Sequence, residues 1–491
     1  MPTLTIRRGH QVQQAGFDQP APLSALLAQA GQPLGQPCGG RGVCGKCAVL
    51  LEGEVSEPNA AEMRWGVRLA CQAMVLGDAC VILPEEQLME QIEGGSGAAL
   101  RPVHPMPGEM GAAIDIGTTT LAMRLYDLRS GECLSGATML NPQTTVAADV
   151  IGRIDAAMHG AEERLREAME AALHTMLLIA CARAGCEADK VTSLVVTGNT
   201  TMLYLLCGRD PTALSHAPFE ADHLFGTECV LLGRRAYLPP CLHAFVGADT
   251  SCALLASGML AQSDTALLCD IGTNGEIALW HHGELTIAST AAGPAFEGAG
   301  ISCGCGSIPG AIDQVSVEDG TISVHTIGGK APVGLCGSGL VDAVAALLEI
   351  GVIDETGAMD EACVLSPGVC LTPRDVRALQ LAKAAMAAGV DSLLHAASCP
   401  QESVRAVHLA GGFGSHLSMR SAAAIGLLSP VLAQKVRVIG NAALDGAAML
   451  LMDVSLRTDM ERIGQQARHI RLDGNPFFNQ RYVDAMMFEQ E

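Results

Sequence analysis

The 491-residue chain carries 52 acidic against 30 basic residues, a formal charge of −22, with 49% apolar and 17% charged residues. Such a composition gives a folded chain with core enough for two to four domains, and its charge argues against binding nucleic acid through phosphates. Nineteen cysteines, with no apolar leader in Met1-Pro-Thr-Leu-Thr-Ile-Arg-Arg, point to a cytoplasmic protein with reduced thiols, one suited to an anaerobic cell, and turn part of that count toward metal or redox chemistry. No apolar run has the length of a membrane span. The longest, 171–182, is short and contains His174, so it reads as a core-facing helix.

Residues 1 to about 92 read as one small module. Leu4–Gly9 and the segment after His10 form a hairpin, and Pro22–Gly31 a helix closed by Gly31. Next come Cys38-Gly-Gly-Arg-Gly-Val-Cys44-Gly-Lys-Cys47 and, further on, Cys71-Gln72, a spacing of C-x5-C-x2-C-x23-C. Four thiolates, three from one loop and one from a following strand, complete the ligation of a 2Fe–2S cluster. Glycines 39, 40, 42 and 45 let the loop fold tightly and aim N–H groups at the sulfurs. Gly40 to Cys47 also approaches the phosphate-loop pattern G-x4-G-K-[ST], but Cys47 stands where a magnesium-binding hydroxyl is required and the flanks do not read strand-then-helix. A structural zinc site usually shows two C-x2-C pairs, and only one is present. The spacing and its setting resemble ferredoxins, with the x5 of the adrenodoxin variant. Cys80, on a strand over 79–83, is expected to be a buried fifth thiol. Residues 93–110, with Gly94-Gly-Ser-Gly97 and three prolines, read as a flexible linker.

The remainder, 111–491, contains a repeat. Ala113-Ile114-Asp115-Ile116-Gly117-Thr118-Thr119-Thr120 and Cys269-Asp270-Ile271-Gly272-Thr273-Asn274-Gly275-Glu276 share Asp-Ile-Gly-Thr at positions 155 apart. Each follows an apolar run and continues as strand, glycine turn, strand. Glycine lets backbone approach a phosphate, threonine offers hydroxyl and N–H donors, and the aspartate can hold a metal-bound water. Between the copies, residues 149–184 read as helical and 191–196 as a strand that breaks at Gly198-Asn199 into a helix over 202–207. Asp249, in Gly247-Ala-Asp249 before a helix over 250–260, is either a helix N-cap or a carboxylate directed at a γ-phosphate. Beyond the second copy, a strand ends in Gly411-Gly412-Phe413-Gly414, and 440–452 is a small-residue helix.

These landmarks, in this order, resemble the actin-like ATPase superfamily of sugar kinases, heat-shock 70 chaperones and actin. The resemblance implies two phosphate hairpins facing each other across ATP and Mg2+, with Asp115, Asp249 and Asp270 as the catalytic carboxylates. In the sugar-kinase branch the counterpart of Asp249 is the base; with no sugar to deprotonate it would orient or deprotonate water. Gly411 to Gly414 would take the adenosine, and helix 440–452 would cross back to meet Gly198-Asn199 as a hinge. The expected fold is therefore an α+β ferredoxin (β-grasp) domain over 1–92 followed by a two-subdomain α/β actin-like (ribonuclease H-like) ATPase, with subdomain I at 111–261 and subdomain II at 262–491.

A ferredoxin joined to such an ATPase resembles the reductive activators of corrinoid proteins, as do the stretches AGPAFEGAGISCG (292–304), LCGSGL (335–340) and GNPFFN (474–479). Larger members carry a further domain where this chain has only the linker. The resemblance implies one-electron reduction of Co(II) to Co(I) in a corrinoid methyl-carrier protein, fed by an unnamed low-potential donor, and leaves a homodimer open. A cluster of this type works near about −400 mV, above what Co(I) demands. ATP carries no electrons, so it must act by favouring one conformation over another. Ser302, in a glycine-rich loop over 293–310, would contact the corrinoid, unless that loop serves only the nucleotide cleft. Cys303 and Cys305 form a C-x-C that could hold metal with Cys336, against the plainer reading of small buried residues. Competing classes are the activators of 2-hydroxyacyl-CoA dehydratases, which lack a ferredoxin domain, a small-molecule kinase with a fused redox sensor, and a non-catalytic scaffold.

Overall fold

The computed structural model describes residues 2–8, 11–34, 39–42, 47–65, 68–83, 99–318 and 321–488. Three six-stranded sheets organise it. The first belongs to the N-terminal module: β1 (Thr3–Arg8), β2 (Gln11–Gly16), β3 (Ala21–Pro22), α1 (Leu23–Gln29), β4 (Ala48–Val55), α2 (Ala60–Trp65), β5 (Arg68–Leu69) and β6 (Met74–Ile82). β1 runs parallel to β6 and antiparallel to β2, while β4 runs antiparallel to β6. Along β6, Val75, Ala79 and Val81 are buried while Leu76 is exposed, the period-two pattern of a sheet with one covered face. α1 covers that face with Leu23, Leu26 and Leu27, spaced for one side of a helix. Cys80 therefore falls on the outer face of β6 and is half-buried, not in the core as expected.

The second sheet, in order β11-β12-β10-β7-β8-β9, comprises β7 (Met110–Ile116), β8 (Thr120–Asp127), β9 (Cys133–Leu140), β10 (Val191–Gly198), β11 (Thr227–Leu231) and β12 (Arg234–Leu238). Its helices are α3 (Val150–Ala156), α4 (Glu162–Ala184), α5 (Thr200–Leu206) and α6 (Ala248–Ser257). The single helix expected over 149–184 is broken at His159–Gly160, where Gly160 adopts φ 89°, a conformation that ends a right-handed helix.

The third sheet repeats the plan: β13 (Ala266–Ile271), β14 (Gly275–His281) and β15 (Glu284–Thr290) are an antiparallel meander. An insertion follows: β16 (Ala311–Glu318), β17 (Thr321–Thr326), β18 (Gly334–Leu335), α7 (Gly337–Glu349), β19 (Cys363–Ser366), β20 (Val369–Leu371) and α8 (Pro373–Ala396). The sheet resumes with β21 (Ala406–Ala410), parallel to β13, then α9 (Met419–Ala424), α10 (Pro430–Ala433) and β22 (Val436–Gly440). α11 (Ala442–Met452), α12 (Leu456–Gln466), β23 (Ala467–His469) and α13 (Pro476–Asp484) complete the chain.

α11 joins the halves. It packs on α6 so closely that a side chain at Gly446 would run into the Cys252 carbonyl, and its Leu444, Ala447 and Leu451 share one core with Ala113 and Val195 of the second sheet and Leu268 and Ala278 of the third. Small residues permit that approach, as the Gly-Asn-Ala-Ala sequence suggests. Within the expected linker, residues 99–109 run along this body. Leu100 N–H donates to Gly131, Val103 to Met452 and Met106 to Leu451, and Met106 is buried; the rest of the linker lies outside the described residues.

Candidate functional site

Strand register assembles the site. β7 and β10 end side by side, with Asp115 opposite Thr197 and Ile116 opposite Gly198; β13 and β21 pair Asp270 with Ala410, so Gly411 emerges beside Asp270. Both Asp-Ile-Gly-Thr turns thus open toward a cavity of about 320 Å³ lined by Asp115, Gly117 to Thr120, Asn199, Asp249, Asp270, Gly272 to Asn274, Gly411 to Phe413 and Asn441. Three expected glycines serve the frame instead. A Cβ on Gly198 would stand 2.7 Å from the Ile116 carbonyl oxygen, and one on Gly414 2.8 Å from Leu409; Gly275 begins β14 against Met386.

The cleft concentrates negative charge. Burial, together with Asp249, lifts the Asp115 carboxyl to about 7, although an Nδ2–H bond from Asn441 (3.1 Å) opposes the rise. Asp270 is likewise pushed to about 7 by burial, Asp249 and Glu297. Burial raises Asp249 to about 6 while bonds from the Thr250 N–H (2.7 Å) and hydroxyl (3.4 Å) hold it down. Asp249 lies in the first turn of α6, whose N-cap residue is Gly247, and its Oδ1 takes the Thr250 N–H of that turn. Carboxylates that raise one another's pKa call for a cation.

Five residues around these carboxylates shape the site. Glu276 sits across from Asp270 in the β13–β14 register, lines the cavity, and is pushed well above the carboxylate range by burial, Asp249 and Asp270. Glu297 accepts on one oxygen, Oε2, from the Thr119 hydroxyl (2.7 Å) and the Thr273 hydroxyl (3.0 Å), and so ties one phosphate turn to the other. Arg153, on α3 and fully buried, donates from Nη2 to the Thr118 carbonyl (2.5 Å); burial lowers it to about 10, which leaves it cationic behind the first turn. Asn199 and Asn441 are matching helix N-caps. Asn199 donates to the Thr118 hydroxyl (3.0 Å) and Asn441 to Asp115.

The residues present fit a magnesium nucleotide. Threonine hydroxyls, uncovered glycine backbone and desolvated carboxylates converge, and His416, whose buried Nε2 has no partner among the described residues, lines the same wall as Phe413. Phe413 lies 4.9 Å from the Phe296 ring. Of the expected cluster ligands, Cys38 and Cys44 lie outside the described residues. Cys47 is buried and Cys71 half-buried; Gln72, next to Cys71, donates to the Gly40 carbonyl (2.5 Å), and Gly39, Gly40 and Gly42 all have positive φ. Thiols beside a loop of that curvature suit an iron–sulfur cluster.

Ser302 is exposed and tied down: its N–H and hydroxyl both donate to Asp375 Oδ1, at 2.7 and 3.0 Å. The Cys303 and Cys336 thiols take different partners, and Cys305 packs beside Cys336. Cys336 is buried with its thiol on the Ile312 carbonyl (3.2 Å), whereas Cys303 meets Cys370. No group of three or more metal-binding side chains occurs among the described residues, and no described helix is long and apolar enough to cross a membrane.

Fold and site together define an actin-like ATPase carrying a ferredoxin module. Residues 264–491 match the C-terminal ASKHA domain of RACo, 110–262 the RACo middle region, and 10–76 the 2Fe–2S iron–sulfur cluster binding domain. Over 418 residues the chain is 35% identical to the corrinoid activation enzyme RamQ of Eubacterium limosum, spanning 77% of this chain and 70% of RamQ. It is 27% identical to the Co(II) methylated amine-specific corrinoid protein reductase of Methanosarcina barkeri, spanning 77% of each. A solved reductive activator for corrinoid, iron–sulfur protein superposes over 99% of this chain and 98% of its own with TM-score 0.72 and 26% identity. The chain belongs to the RACo-type reductive activators of corrinoid proteins.

Proposed function

We propose that the chain hydrolyses ATP to drive one-electron reduction of Co(II) to Co(I) in a corrinoid methyl-carrier protein. What carries this reading is the union, in one RACo-type chain, of a cysteine-bearing ferredoxin module with two phosphate turns closed on one cleft. Cys38, Cys44, Cys47 and Cys71 would hold a 2Fe–2S cluster, which supplies a single low-potential electron when bound. Asp115 and Asp270 would hold Mg2+ through its waters, and the ion would neutralise charge on the phosphates.

The chain's own part is positioning. Gly117 and Gly272 bring backbone to the phosphates, the Thr118 and Thr120 hydroxyls donate to them, and Thr119 and Thr273, whose hydroxyl protons go to Glu297, offer their backbone N–H groups. Asn441 orients Asp115, and Arg153 places positive charge behind the first turn. Asp249, the least raised of the three aspartates, accepts a proton from the attacking water. Gly411 to Phe413 seat the adenosine. Closure of the two halves about α6 and α11 would distinguish ATP from ADP and alter affinity for the corrinoid protein, which is how hydrolysis can do work on a redox partner. A low-potential electron donor recharges the module, and a reaction that consumes ATP suits the cytoplasm.

The test is anoxic: chemically reduced protein is mixed with Co(II) methyl-carrier proteins and the cobalt absorption is followed. Co(I) is expected only when Mg-ATP is present. Hydrolysis without cobalt reduction across several carriers would reject the reading.

A further inference from the structure

Two thiols outside the cleft are poised to react with each other. Cys303 and Cys370 have Sγ atoms 3.8 Å apart, and the Cys370 N–H points at Cys303 Sγ (3.5 Å). Both are half-buried, so a small oxidant reaches them. Cys181 and Cys186 are also neighbours, but Cys181 is 3% exposed.

The surroundings fix where Cys303 sits. Its carbonyl accepts from Leu335 N–H (2.8 Å), and Cys305 N–H donates back to Leu335 (3.0 Å). Gly298 and Gly304 pack backbone on backbone, so that a side chain on Gly304 would strike the Gly298 carbonyl. One residue before Cys303, Ser302 is bonded to Asp375, the buried partner of Thr372 in the capping box of α8. Cys370 stands on β20, two residues before Thr372. A few residues past Cys303, Cys305, Gly306 and Ser307 form part of the nucleotide cavity wall. The thiol pair thus lies where the wall loop meets the start of α8.

We propose that Cys303 and Cys370 form a reversible regulatory disulfide that pins the 298–307 loop to β20 and slows ATP turnover; this rests on the ATPase reading above. The oxidant is a small disulfide, RSSR. One cysteine thiolate attacks it and releases RSH; the second attacks the mixed disulfide and releases another RSH, so the pair gives up two electrons and two protons in all. The sulfurs need to close from 3.8 Å to about 2.05 Å, a shift within the reach of side-chain rotation. The biological logic is direct, since ATP spent on making Co(I) is wasted where Co(I) cannot persist.

The experiment uses the full-length, cluster-loaded protein under anoxic conditions, treated with oxidised glutathione. Non-reducing digestion and mass spectrometry read the cross-link, and phosphate release reads turnover. Expected are a linked Cys303–Cys370 peptide, a fall in turnover of about tenfold as the loop bearing Cys305 to Ser307 of the cavity wall is cross-linked to β20, and recovery with dithiothreitol. Cys303→Ser and Cys370→Ser are expected to keep the reduced-state turnover and resist the oxidant. Damage to the cluster would strike wild type and variants alike, so their difference isolates the pair. An active protein that forms no such link, or whose serine variants are inhibited as strongly as wild type, overturns the switch alone. A reduced protein that hydrolyses no ATP overturns the ATPase reading and the switch with it.

Discussion

The two halves of the ATPase body share a strand plan and differ in what is inserted into it. In each, a three-strand meander carries Asp-Ile-Gly-Thr at its first turn and two parallel strands follow. β12 in one half and β22 in the other lead to α6 and α11, which pack on each other. After the third strand the first half inserts α3 and α4, and with them Arg153 beneath its own phosphate turn. The second half inserts the longer stretch 291–405, and with it Glu297 across both turns. The repeated part builds a symmetric frame; the unlike insertions supply a cation to one side and a carboxylate to the middle. Symmetry provides the clamp, and asymmetry gives it a direction.

Breaking the symmetric part is expected to have the largest effect. Asp115→Asn and Asp270→Asn should each cut ATP turnover about 100-fold or more, measured by phosphate release with far-UV circular dichroism as a fold control. A tolerated change on one side would mean that the two turns are not equivalent. The asymmetric part is next. Glu297→Gln keeps an acceptor and removes a charge from the cleft, so nucleotide should bind several-fold more tightly while turnover drops about tenfold; isothermal titration and steady-state kinetics separate the two.

A pH series sharpens the electrostatic side of the same comparison. Asp115 and Asp270, at about 7, and Asp249, at about 6, stand above the ordinary 3.8. The folded, nucleotide-free protein therefore holds more protons than the unfolded chain between those limits. Their stabilising contribution is full below about pH 4 and is lost as pH rises through 6 to 7. Mg2+ should accordingly raise Tm more at pH 8 than at pH 6; an equal gain at both would place the ion elsewhere. The smallest effect is expected at the joint between halves. Gly446→Ala should overpack α11 on α6 at a cost of about 1–3 kcal/mol, read as a lowered Tm with turnover impaired only in proportion to unfolding.

What could be read from sequence was local. Apolar runs ending in Asp-Ile-Gly-Thr announced both meanders, because strand period and glycine turns are short-range signals, and Asp115, Asp249 and Asp270 do converge on one cavity. Glu297 escaped because its partner Thr119 is 178 residues away, and its own turn reads only as a glycine-rich loop. Arg153 left a visible trace: it shares the buried stripe of Val150, Ile154 and Ala157, where an arginine is out of place unless it has work to do. Glu276 stood in plain view beside the second turn, and only register with Asp270 reveals its burial. Between 99 and 109 the expected linker bonds to the body, which its sequence does not announce, because prolines and glycines forbid regular structure without forbidding backbone bonds to a neighbouring surface.

The most direct test of the account asks whether the clamp drives the electron. Wild type and Asp270→Asn are loaded with cluster, reduced to the same absorbance, and mixed anoxically with a Co(II) corrinoid protein and Mg-ATP in a stopped-flow spectrometer. The account predicts identical cluster spectra, Co(I) formation in wild type and none above the ATP-free background in the variant. Co(I) appearing in the variant at the wild-type rate would contradict it, for then the nucleotide cleft and the electron would be uncoupled.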